Sequence, residues 1–173
     1  YDREMGSMRL LLTAPLPRWW LLVSKLTGAT LIGVLQCYAF LAIARVFDIT
    51  LPPWGYVTAL PALLTAGMML GALGLALSSL IKQLENFAGV MNFVIFPMFF
   101  LSSALYPLWK MAESSVLLHD ICAANPFTHA VELIRFALYV SPNLPALGWT
   151  LLALAVFLGL ALWGYDPARS LVR

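Results

Sequence analysis

Four long apolar stretches separated by short polar joints take up most of the chain: roughly Leu21–Ala44, Tyr56–Ile81, Phe87–Leu108 and Leu147–Tyr165. Each supplies the ~20 mostly apolar residues that a helix needs to cross a hydrocarbon slab about 30 Å thick. With interfacial residues added, the expected spans are 19–46, 56–82, 86–108 and 146–165. Lipid offers no partner to a backbone N–H or C=O, so runs of this length fold as helices, which satisfy those groups internally. The expected class is an all-α integral membrane protein, a single transmembrane domain over 1–173 with four transmembrane helices. Little chain is left for a water-soluble catalytic core.

Composition narrows the function further. Hydrophobic residues make up 62% of the chain and charged residues 10%, against about 25% charged in an ordinary soluble domain. A soluble globule is excluded. The net charge of +2 is the balance of ten Lys and Arg residues against eight Asp and Glu, and the basic ones are scattered, with no patch of the kind that binds nucleic acid. Cys37 falls mid-span and Cys122 in a joint, which argues against a disulfide framework. No C-x-x-C or H-E-x-x-H spacing occurs, so no metal site is expected. The chain opens Tyr1-Asp2-Arg3-Glu4 with no basic start and short apolar run of a signal peptide. That internal-looking start leads us to expect further residues upstream.

Charge also sets an orientation, because cytoplasmic joints collect Lys and Arg near span ends. Arg3, Arg9, Arg18 and Lys25 precede or open the first span, Lys82 lies between the second and third, and Arg169 and Arg173 close the chain. Arg45, Lys110 and Arg135 fall in the opposite joints. Placing both ends in the cytoplasm puts seven of the ten basic residues inside and three outside. Trp19-Trp20, Trp54, Tyr56, Trp109, Trp149 and Trp163 stand near span ends, where amphipathic rings anchor at the headgroups.

The segments around the spans carry the remaining patterns. Residues 1–14 place Tyr1, Met5, Met8 and Leu12 on one helical face, and Pro15 and Pro17 end that helix. A short amphipathic helix, within 1–16, is expected along the cytoplasmic surface. It is either a passive interfacial anchor or a contact element for a soluble partner. The first joint, Phe47–Gly55, with Asp48 and Pro52-Pro53, reads as a tight external turn. Gly67, Gly71 and Gly74 in the second span permit close helix approach, within the bundle or across a dimer seam. Gln36, polar at mid-span, should face another helix or a pathway.

Pro97 is expected to kink the third span, with Asn92, Ser102 and Ser103 available to re-satisfy freed backbone groups, and Pro107 closes the stretch. The joint 110–143 is too long for a turn and only partly polar. Val116–Ala123 reads as a short apolar helix that Asn125-Pro126 breaks. Phe127 to Tyr139 reads as a second helix, with His129, Glu132 and Arg135 along one face and Glu132 able to pair with Arg135. Two helices too short to cross suggest a re-entrant external helical hairpin, tolerable where protein or water covers its broken backbone. His129-x-x-Glu132 has the spacing of half a metal site, but no third ligand is near, so it reads as a charged helix face.

Two stretches carry a resemblance. The first is Arg3-Glu4-Met5-Gly6-Ser7 and Leu11-Leu12-Thr13-Ala14-Pro15, with Trp19 and Lys25 beyond. The second is Asn92-Phe93 and Phe96 through Pro107, followed by Asn125-Pro126 and Arg135. Together they resemble the membrane permease of type-2 ABC exporters. The run Asn125 to Ala130 is also similar to permeases encoded near quinoprotein (PQQ) alcohol-oxidation systems. Arg9, where many relatives are acidic, and Ser103, in place of a common glycine, depart from the pattern.

The resemblance implies that these are the last four of six spans, in a bacterial inner membrane with both ends of the segment cytoplasmic. It implies that residues 1–16 are a coupling helix seated in a separate ABC ATPase subunit, with Glu4, Gly6, Ser7, Leu11, Leu12 and Pro15 as coupling residues. Asn92, Pro97, Ser102, Pro107, Asn125, Pro126, Glu132 and Arg135 would form a kink and outer gate. A homodimer or a second permease subunit is expected, and no partner nucleic acid. No G-x-x-x-x-G-K-[ST] loop occurs, so no cofactor is expected on this chain, and ATP and Mg would be bound by the partner subunit. The spans offer few polar groups, which leans toward an apolar or amphipathic cargo. The competing classes are an ATP-independent secondary transporter, which would show internal repeats or midplane charge; an intramembrane enzyme built on His119, Asp120, His129 and Glu132; and a scaffold.

Overall fold

The computed structural model describes residues 18–81 and 84–164. The expected helix over 1–16, with Glu4, Gly6, Ser7, Leu11, Leu12 and Pro15, lies outside them, as do Lys82, Arg169 and Arg173. The described residues form helices and no strands: α1 (Arg18–Val46), α2 (Pro53–Leu80), α3 (Leu84–Phe100), α4 (Leu108–Ser114), α5 (Val116–Ala124), α6 (Pro126–Leu138) and α7 (Leu144–Gly164).

Three of them, over Trp19–Val46, Pro53–Ser79 and Leu144–Gly164, are long and apolar enough to cross a membrane. The third expected span differs. Helix α3 has 17 residues, about 26 Å at 1.5 Å per residue and short of a ~30 Å slab. Residues 101–107 leave the helix, and Leu108, expected to end the span, begins α4 instead. The joint beyond holds three short helices, because Leu108–Ser114 coils separately before Val116–Ala124.

Helix α2 is the hub, contacting α1, α6 and α7 extensively. Its buried stripe, Ala59, Ala62, Ala66, Met69, Leu73 and Ala76, advances in alternating steps of three and four, the spacing that keeps a seam facing a neighbour. Alanines let that neighbour come close without a hydrophobic driving force in lipid. Helix α7 answers with Ala146, Thr150 and Ala161, all buried. Helix α6 sits in the groove between them: Leu133 packs with Ala62 and Ala146, and Ala130 with Ala66 and Met69.

These contacts fix directions. Leu26 lies against Gly71 and Thr30 against Gly67, so α1 runs antiparallel to α2. Ala146 lies level with Ala62 and Gly164 against Ser79, so α7 runs parallel to it. Ala130 is level with Ala66 and Leu138 with Gly55, so α6 runs antiparallel. Arg18, Leu80 and Gly164 therefore share one end of the bundle. The joints after Val46 and after Leu138 share the other. Phe40, Phe93, Phe96 and Phe100 face outward, as side chains that meet hydrocarbon do.

Both joints at the second end turn through left-handed backbone. Asp48 has φ 59°, a conformation its short polar side chain tolerates. Val140 has φ 60°, where a β-branched residue is strained. It ends α6 in a two-bond cap, with Ser141 N–H on the Phe136 carbonyl at 3.0 Å and Val140 N–H on Ala137 at 3.0 Å. Glycine ordinarily holds that position. Val140→Gly is therefore expected to raise stability by about 1 kcal/mol, read as a higher midpoint in thermal unfolding of the protein in nanodiscs.

Candidate functional site

The site is where α3 stops. Pro97 has no N–H, so it removes one helical hydrogen bond. The last regular bond is Leu101 N–H to the Pro97 carbonyl at 2.8 Å. Beyond it the final carbonyls of α3 lose their helical donors. The level of Asn125, reached through α6 and the middle of α2, puts these groups far from either end of the bundle, where hydrocarbon would make an unmet carbonyl costly.

Side chains from the α5–α6 junction and the broken turn meet them. The Asn125 amide donates to the Met98 carbonyl and to the Leu101 carbonyl, both at 2.7 Å. The Ser102 hydroxyl donates to the Phe99 carbonyl at 2.6 Å. Asn125 Oδ1 accepts from Phe127 N–H at 3.0 Å, which caps the start of α6 ahead of Pro126 at its first position. One side chain thus closes the end of one helix and opens another, with both amide hydrogens and its oxygen in use.

Thr128, in the first turn of α6, is held as well. Thr128 Oγ1 accepts from Ser103 N–H at 3.2 Å, and the Ser103 hydroxyl donates to the Thr128 carbonyl at 3.5 Å. The Arg135 guanidinium donates to the Ser103 carbonyl at 2.8 Å. Ser102, Ser103 and Thr128 have no exposed surface. A polar clamp therefore joins the broken end of α3 to α6, with Phe99 against the edge of Phe127 beside it.

The expected gate residues divide accordingly. Ser102, Asn125 and Arg135 belong to the clamp, and Pro97 and Pro126 set its backbone. Pro107 precedes α4, its carbonyl accepting from Lys110 N–H at 3.0 Å. Asn92 is exposed on α3 and takes no part in re-satisfying the break, contrary to expectation. Glu132 does not pair with Arg135: the guanidinium reaches Ser103 instead. An orphaned carbonyl inside the bundle is a stronger claim on the guanidinium than a half-exposed carboxylate on its own helix.

His129 Nε2 lies 2.9 Å from the Ala123 carbonyl, so it carries the proton, and its ring stacks on Trp149 at 5.4 Å. His119, Asp120, His129 and Glu132 do not converge. Among the described residues no three His, Cys, Asp or Glu side chains gather to hold a metal. Cys122 is fully buried in α5, and burial pushes its thiol up.

Gly67 and Gly71 face α1, where an added Cβ would stand 3.0 Å from Thr30 Cγ2 and 2.6 Å from Leu26 Cδ1. Gly74 faces Met91 of α3 at 4.0 Å. Gln36 is exposed on α1. Three features escaped the sequence reading. Thr128 gave no local sign except its place three residues after an Asn-Pro helix start. Thr58 bonds across to the Ala137 carbonyl at 2.5 Å. Gly55 faces the Leu138 carbonyl so closely that a Cβ would collide with it.

Residues 1–139, which include the clamp, match the family model described as "ABC-2 type transporter". The chain is 33% identical over 139 residues to the "Putative transport permease ycf38" of Porphyra purpurea, covering 79% of this chain and 46% of that protein. It is 32% identical over 77 residues to "Nodulation protein J" of Rhizobium leguminosarum bv. viciae, covering 44% and 29%. It is 28% identical over 136 residues to the "Probable multidrug ABC transporter permease YbhR" of Escherichia coli strain K12, covering 78% and 36%. The chain spans less than half the length of each of these relatives. No solved structure matches it.

Proposed function

The chain belongs to the ABC-2 type transporter family, and on that premise we propose that it is membrane-spanning permease of an ATP-driven exporter. In this reading, α1, α2 and α7 cross the membrane. Helix α3, extended by residues 101–107, serves as the fourth crossing, and α5 and α6 form the re-entrant hairpin. The two chain ends and the joint between α2 and α3 face the cytoplasm of a bacterium, and two permease halves enclose the pathway. A separate ATPase binds ATP and Mg and grips residues 1–16 through Glu4, Gly6, Ser7, Leu11, Leu12 and Pro15.

The clamp is the observation that supports this most. A membrane helix that ends at depth, tied to a hairpin by polar bonds, is an element with two discrete arrangements. Closed, Asn125, Thr128 and Arg135 satisfy the end of α3. Opened, water reaching from the external side replaces them. ATP-driven closure of the partner subunits would move α1 through the coupling helix. Close packing at Gly67 and Gly71 passes that movement to α2, and α6 in the groove of α2 passes it to the clamp. Asn125, Thr128 and His129 each hold a structural bond, so the run that resembles quinoprotein-linked permeases serves the fold, and that association is not part of the proposed function.

Co-purification with an ATPase whose hydrolysis responds to cargo tests the proposal directly. Within it, Gly6→Trp is expected to leave membrane insertion intact while export falls to background and ATP hydrolysis continues. Export at the unmutated rate by that variant would remove residues 1–16 from the coupling role.

A further inference from the structure

A second feature lies on the other side of α6. A cavity of about 600 Å³ opens between α2, α6 and the start of α7, within the ~300–1,000 Å³ range of small-molecule sites. Its walls include Pro61 and Thr65 of α2, Leu133 and Ala137 of α6, and Leu144 and Leu147 of α7. It lies toward the bundle end that holds the α1–α2 joint and the α6–α7 joint, at the height where one bilayer leaflet meets the protein.

The chemistry of the lining selects the occupant. No charged side chain lines it. Between the helices the polar groups are already engaged, the Thr58 hydroxyl on the Ala137 carbonyl and, at 3.0 Å each, the Thr65 hydroxyl on the Pro61 and Ala62 carbonyls, while at the rim Asn143 Oδ1 accepts from Ala146 N–H at 3.1 Å and the Ser141 hydroxyl and Asn143 amide remain available. A buried water needs two to four free polar partners, and these walls offer few. Hydrocarbon needs none. Two of the residues that line it, Ala62 and Ala137, have only a methyl side chain.

We infer that this cavity between α2, α6 and α7 binds a single hydrocarbon chain, taken from an amphipathic molecule in the leaflet beside it. The chain lies against Leu133, Ala137 and Leu147. The polar end of the molecule stays at the Ser141–Asn143 rim. Bilayer phospholipid and a soluble single-chain amphiphile present the same chemistry to such a site.

Photo-crosslinking of the intact permease in nanodiscs tests this, using phosphatidylcholine with a diazirine midway along one acyl chain. Peptides bearing Leu133, Ala137 and Leu147 are expected to carry label. In Ala137→Phe, which fills the hollow, that label falls about tenfold, while label at lipid-facing Phe93 on α3 is unchanged and reports an intact fold. Leu147→Trp fills the same space from α7 and gives the same result if Ala137→Phe does not fold. Thr65→Val, which keeps the shape, leaves labelling as it was. Added diazirine-dodecanol that displaces the phospholipid label identifies a free amphiphile as the ligand, and failure to displace identifies a bilayer lipid. Cavity label that is no higher than at Phe93, or that survives both filling variants, overturns the inference.

Discussion

Asn125→Asp is expected to destabilise the protein strongly, although it changes one amide nitrogen to oxygen. The carboxylate keeps the cap on Phe127 N–H, and a negative charge at the start of α6 favours that helix. It loses both donors to α3, however, and sets an anionic oxygen against the carbonyls of Met98 and Leu101, now 2.7 Å from the amide nitrogen. Each carbonyl left unmet at this depth, away from water, costs about 1–3 kcal/mol, so the pair costs about 2–6 kcal/mol before charge repulsion is counted. Asn125→Ala removes the same two donors and the cap together. The two variants separate on acidification. Protonation gives the carboxyl one donor back, so Asn125→Asp regains part of its stability as pH falls, and Asn125→Ala does not. Thermal unfolding in nanodiscs across pH reads both. Equal stability of Asn125→Asp and the unmutated protein would remove Asn125 from the clamp.

What could be read from the chain alone follows the range of the interactions concerned. The first, second and last long helices were legible because an unbroken apolar run of about 20 residues has one solution in lipid. The end of α3 was not. The run continues through Leu101, Leu105 and Leu108, so hydropathy carries on where the helix does not. Pro97 announces a kink, but whether a helix resumes depends on who satisfies its carbonyls, and those donors stand 24 and 27 residues away in Asn125. Asn125-Pro126 was legible as a breaker through local capping chemistry. Its second duty toward α3 was not, because no local pattern encodes it. Arg135 shows the same limit: the rule for neighbours on a helix pointed to Glu132, and the real partner is a backbone carbonyl on another element. Gly67 and Gly71 declared a close approach through their spacing, and only the packed bundle shows that α1 fills it.

Gly55→Ala is the other large expected effect, and it acts from the far end of α6. Gly55 is buried in the first turn of α2, and the carbonyl of Leu138 sits where a methyl group would go. The obstacle is backbone, so no side-chain rotation relieves it, and α6 has to move away from α2. Thr58 then loses the Ala137 carbonyl, and overpacking of this kind costs about 1–3 kcal/mol. Gly28→Ala is the matched control: nothing lies within 4 Å of its added methyl, and alanine is the better helix former by about 1 kcal/mol. The prediction is therefore a large loss at Gly55 and no loss at Gly28, from the same chemical change in two membrane helices. Because α6 is a short stiff rod from Leu138 to Pro126, displacing one end disturbs the clamp at the other. Gly55→Ala and Asn125→Ala should consequently be non-additive, the second costing less when the first is present. Strict additivity would mean that α6 bends rather than shifts, and that the junction with α3 is set by Asn125 and its neighbours alone.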